Sequence, residues 1–97
     1  MSISTHTTWP EGLIARYLTV GGATVDVSHD TLYLADTEPN VTTASCEGAG
    51  CEAYHNEEWG QYAYRFNNGS SAADEQAGKW AQAHAEKCRA MPRPDQP

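Results

Sequence analysis

Val41-Thr42-Thr43-Ala44-Ser45-Cys46-Glu47-Gly48-Ala49-Gly50-Cys51 runs a β-branched segment straight into a glycine loop bounded by two cysteines. Val41 to Ser45 is rich enough in Val and Thr to be a strand, and it delivers the chain directly to Cys46. Glycine lacks the Cβ that restricts backbone angles, so Gly48 and Gly50 let the next turn curl until both sulfurs face one point.

The matching pair lies downstream. Ser71 and Asp74 have the spacing of a capping box, with Asp in place of the usual Glu, and predict a helix from Ser71 to about Ala90, where Met91-Pro92 ends it. Ala77, Trp80, Ala81, His84, Ala85 and Cys88 recur at the three-and-four spacing of one buried face. Gly78 weakens the helix locally. His84 and Cys88, four residues apart, then lie one turn apart on that face.

The full pattern is C-x4-C, 32 intervening residues and H-x3-C, and it uses every cysteine in the chain. Zinc favours a tetrahedron of thiolate and imidazole ligands, so Cys46, Cys51, His84 and Cys88 are the expected metal ligands. A closed set of four leaves no position for an activated water, which predicts a structural zinc and no enzyme. Three alternatives stay open. His55, four residues after Cys51, could replace His84; the cysteines could be small buried hydrophobes beside a satisfied His84; or a secreted chain could hold one Cys46–Cys51 disulfide and a spare thiol.

Upstream, Leu13 to Val20 is apolar and β-rich, Gly21-Gly22 follows, and Ala23 to Ser28 alternates through Val25 and Val27, which is a hairpin signature. A strand follows this Gly-Gly, so it is no phosphate-cradling loop. Ser28-His29-Asp30 reads as a turn with a solvated His29, and Thr31 to Ala35 as a third strand before the Asp36-to-Asn40 loop. Glu52 to Gln61 is a polar, acidic connection. Tyr62, Tyr64 and Phe66 alternate as a fifth strand with an aromatic face. The expected fold is α+β: a small antiparallel sheet of four to five strands with a C-terminal helix, zinc-finger-like. Residues 9–91 form the single domain, with 1–8 and 92–97 as flexible ends and Trp9-Pro10 as an N-terminal lid.

The 97 residues carry a formal charge of -7, unevenly spread. Residues 1–75 hold Arg16 and Arg65 against eleven acids, and residues 76–97 hold Lys79, Lys87, Arg89 and Arg93 against Glu86 and Asp95. Phosphate contacts need clustered bases, so duplex binding is disfavoured except along the last helix. No apolar run approaches the roughly 20 residues that cross a bilayer, and Met1 to Trp9 is polar, so a cytoplasmic chain without membrane contact is expected.

Trp80 to Pro92, with Ile14-Ala15-Arg16-Tyr17-Leu18 and the upstream Cys pair, resembles small uncharacterised proteins of high-GC Gram-positive bacteria and their phages or mobile elements. In those proteins the Cys pair and the helical H-x3-C occur together, which implies a zinc-finger-like module. The likeness covers most of Trp9 to Pro92 and implies no known activity.

The function expected is a small zinc-binding protein-interaction module, an accessory or regulatory factor of a phage or mobile element. Glu57, Glu58, Trp59, Tyr62 and Tyr64 are its candidate protein-binding surface, because aromatics anchor interfaces and charge guides encounter. Two alternatives are a nucleic-acid-binding finger using Lys79, Lys87, Arg89 and Arg93, and an acidic decoy of a nucleic-acid-binding surface.

Overall fold

Four antiparallel strands and one helix account for the fold in the computed structural model, which describes residues 12–63 and 69–92. The strands are β1 (Leu13–Leu18), β2 (Thr24–Asp30), β3 (Val41–Cys46) and β4 (Tyr54–Glu58), ordered β1-β2-β3-β4 in one sheet. A 3₁₀ turn, Trp59–Tyr62, follows β4, and α1 (Ser70–Ala85) lies across one face. No helix among the described residues is long and apolar enough to cross a membrane.

The alternation in β2 and β3 decides which sheet face is covered. Val25 pairs with Cys46 and Val27 with Ala44, and these four buried residues meet Ala77, Ala81, Ala85 and Cys88. Alanine at Ala73, Ala77, Ala81 and Ala85 gives the helix a side-chain-poor stripe, which lets its backbone come close to the sheet. Gly78 continues that logic: a Cβ there would sit 3.1 Å from the Tyr17 hydroxyl, so the residue that weakens the helix makes room for a β1 aromatic. The cost is a core of small residues, whose largest fully buried side chains among the described residues are Val25, Val27 and Thr42. Such a core gives a small domain little hydrophobic stabilisation, so ties between helix and sheet carry more weight.

A polar chain ties the N-terminal part of the helix. Asp74 Oδ1 accepts the Thr42 hydroxyl at 2.7 Å and lies 2.9 Å from His29 Nε2. The Trp59 indole N–H donates to Thr42 Oγ1 at 2.8 Å, and the His29 and Trp59 rings meet edge to face. Asp74 therefore braces the helix against β2 and β3 instead of closing a capping box. The N-cap is Gly69, in a left-handed conformation without a side-chain cap. His29 is a strand residue on the helix side, not a solvated turn residue.

Two expected strands are corrected. Thr31 to Ala35 is not a strand, because its amides bond to loop side chains: Thr31 to Asp30 Oδ1 at 2.8 Å, Leu32 to Asn40 Oδ1 at 2.8 Å and Tyr33 to Asp36 Oδ2 at 3.2 Å. Asn40 N–H donates to Asp30 O at 2.9 Å and closes the segment as the β2–β3 loop. The acidic connection instead contains β4, and the candidate fifth strand begins in the 3₁₀ turn at Tyr62. Tyr64 and Phe66 lie outside the described residues, as do Trp9 and Pro10. The helix ends at Ala85, earlier than expected from Pro92.

Asp74→Ala removes the acceptor from the buried Thr42 hydroxyl and from His29. It should lower unfolding stability by about 1–3 kcal/mol in urea denaturation of the metal-loaded protein.

Candidate metal centre

Each candidate ligand is placed by a different backbone constraint. Cys46 is the last residue of β3, and its amide donates to Ala53 O at 3.1 Å. Cys51 closes the following turn through its amide to Gly48 O at 3.1 Å, with Gly50 at φ 78° supplying the left-handed residue. His84 stands in the last turn of α1. Cys88 lies beyond the helix, yet its amide donates to His84 O at 2.9 Å, so the i,i+4 relation outlasts the helix by one bond.

The β1–β2 turn holds that extension. Val20 N–H donates to Ala85 O and Gly21 N–H to Cys88 O, both at 3.0 Å. Gly22 carries the positive φ of the turn, 93°, while Gly21 is required for space: a Cβ there would collide with the Arg89 and Ala90 carbonyls. Ala49 N–H donates to Met91 O at 2.7 Å, and Gly48 forms an antiparallel bridge with Pro92. The tail after the helix is thus clamped between the hairpin turn and the cysteine loop.

These constraints bring Cys46, Cys51, His84 and Cys88 together, with one donor atom from each all within 4.8 Å of one another, as a group that could hold a metal ion. Cys46 Sγ lies 3.7 Å from Cys88 Sγ, and Cys51 Sγ lies 3.4 Å from His84 Nε2. Both close pairs join the loop to the helix end. A disulfide needs sulfurs about 2.0 Å apart, and all three cysteines are free thiols. Burial pushes the Cys46 thiol up to about 11 against the opposing donation of the Gly48 amide, whereas the Ala53 backbone holds Cys51 below its ordinary value. A buried thiol of that kind ionises readily only beside a cation.

His55 does not join the group. It bonds to Glu57 and stacks on Trp80, which also stacks on His84; the ring centroids are 5.4 and 5.2 Å apart, with interplanar angles of 10° and 2°. Trp80, expected as a core residue, stacks with both histidines and so restrains the ring of the candidate ligand His84. Neither this role nor that of Gly21 carries a local sequence signal, since both come from long-range packing.

The remaining candidates are dispersed. Trp59 is half-buried on Thr42, and Tyr62 Oη donates to Glu57 Oε1 at 2.7 Å, while Glu58 is exposed. Among the described residues these side chains do not make one exposed aromatic patch, and Tyr64 lies outside them. Lys79 pairs with Glu75 at 3.8 Å on the exposed helix side. Lys87 and Arg89 are exposed beyond the helix end, so they do not extend a basic helical row, and Arg93 lies outside the described residues. Comparisons with protein families, with curated proteins and with solved structures give no match.

Two sets of substitutions test this geometry. His84→Ala should abolish tight metal binding in competition with a chelating dye, His55→Ala should leave it, and Trp80→Ala should weaken it about tenfold by freeing the ligand ring. Gly21→Ala should cost about 1–3 kcal/mol in thermal unfolding by forcing the tail off Cys88. Gly60→Ala, where an added Cβ meets nothing within 4 Å, should cost far less.

Proposed function

We propose that the protein is a small zinc-binding protein-interaction module, with a structural zinc that joins the sheet end to the helix end and with no catalytic role. The observation that supports the zinc part of this reading is the pair of distances across the site, 3.7 Å between Cys46 and Cys88 sulfurs and 3.4 Å between Cys51 sulfur and His84 nitrogen. A tetrahedron with Zn–S of about 2.3 Å and Zn–N of about 2.0 Å has edges of about 3.8 Å between sulfurs and about 3.5 Å between sulfur and nitrogen. Three thiolates and one imidazole suit zinc better than a hard oxygen-seeking cation.

Four protein donors complete the coordination and leave no site for a reacting water, which supports a structural metal. The formal charge of -7 favours a protein partner over nucleic acid, and an accessory or regulatory role fits such a module.

Native mass spectrometry should detect one zinc per chain, and chelation should remove it with loss of fold; a metal-free chain that stays folded under reducing conditions would contradict the proposal. Acid should have the same effect as chelation. Binding requires thiolates and a neutral His84, so protons compete increasingly as pH falls. The folded, loaded protein should persist at neutral pH and lose zinc and fold together on acidification, as followed by circular dichroism with metal release.

A further inference from the structure

The β2–β3 loop exposes three consecutive large side chains to different degrees: Leu32 is 38% exposed, Tyr33 is 71% exposed and Leu34 is fully exposed. Other exposed large apolar residues are distributed over β1, its turn, β4 and the C-terminal segment. Scattered single residues need no explanation, but a consecutive triplet at a loop tip concentrates apolar surface where it costs solubility.

The tip is also held in shape. Besides the three amide bonds that prevent strand formation, Asp36 N–H donates to Tyr33 O at 3.0 Å and Asn40 Nδ2 donates to Asp36 Oδ2 at 2.7 Å. Trp59 N–H donates to Asn40 O at 3.0 Å, anchoring the loop base to the turn after β4. A loop ordered before binding loses less entropy when it docks.

Charge selects the occupant. Asp30, Asp36 and Glu38 surround the triplet in sequence, and from Tyr17 to Tyr64 the chain has no Lys or Arg. That field repels nucleic acid and anionic lipid and attracts a surface bearing Lys or Arg. We propose that Leu32, Tyr33 and Leu34 dock into an apolar pocket bordered by Lys and Arg on a partner protein. This rests on the protein-interaction proposal above and locates its contact surface away from the metal ligands.

The test uses the full, metal-loaded, ¹⁵N-labelled chain and a synthetic amphipathic peptide with a Leu face rimmed by Lys. Amide shifts should gather in residues 31–40, and binding should weaken steeply as salt is raised toward about 1 M, where screening is nearly complete. Leu34→Ser and Tyr33→Ala should each weaken binding about tenfold, and Glu38→Lys should weaken it without touching the hydrogen bonds that shape the loop. Equal binding by a Glu-rimmed peptide, absence of shifts in 31–40, preferential binding to phosphatidylcholine or phosphatidylserine vesicles, or loop shifts that change on dilution of the protein alone would each overturn the proposal. The visible spectrum of the cobalt-substituted variants, expected to match the parent, reports the metal site separately, so failure of the docking surface is distinguishable from failure of the zinc site.

Discussion

The meeting of Cys46, Cys51, His84 and Cys88 is the constraint on which the rest of the molecule turns, because it is where a thin core needs help. The helix approaches the sheet through alanines, and close approach leaves little apolar volume to bury between them. Near the N-terminal part of the helix, Asp74 ties it to Thr42 and His29 by hydrogen bonds. At its C-terminal end the cluster of four candidate ligands would perform the corresponding task with a metal bound. The two ties differ in kind: one is a neutral or ionic hydrogen-bond chain, the other a set of four donors that includes a thiol driven to about 11 by burial. Protein alone satisfies the first, while a bound cation would complete the second by stabilising the thiolate form that burial disfavours.

The ligands depend in turn on contacts distant in sequence. Cys88 lies past the helix, and the amide of Gly21, in the first hairpin turn, holds its carbonyl. The cysteine loop packs on the same tail through Ala49 and Gly48. The candidate ligands therefore sit on segments held by contacts distant in sequence, an arrangement that would suit a rigid structural site. Trp80 adds orientation from the helix face, stacked with the candidate ligand His84 and with His55.

Much of this was legible in the sequence where short-range pattern and long-range structure agree. The alternation of Val25 and Val27, the β-branched run into Cys46 and the three-and-four repeat from Ala77 to Cys88 each specify an element and its buried face. The ligand set followed from spacing and from the economy of using every cysteine. Legibility failed where side chains take over the backbone's hydrogen bonds. Thr31 to Ala35 looks like a strand, but Asp30, Asn40 and Asp36 capture the amides of Thr31, Leu32 and Tyr33 that a strand would give to its neighbour. It failed again in β4, an edge strand whose inward positions are His55 and Glu57, so that no apolar alternation marks it. The inward pairing of such residues depends on Trp80 and Tyr62, which local pattern cannot reveal.

X-ray absorption at the zinc edge of the loaded protein tests the central claim most directly, since it reads the donor atoms around the metal. Three sulfurs at about 2.3 Å and one nitrogen at about 2.0 Å are the predicted shell. A shell dominated by oxygen and nitrogen, or one with fewer than three sulfurs, would contradict the account.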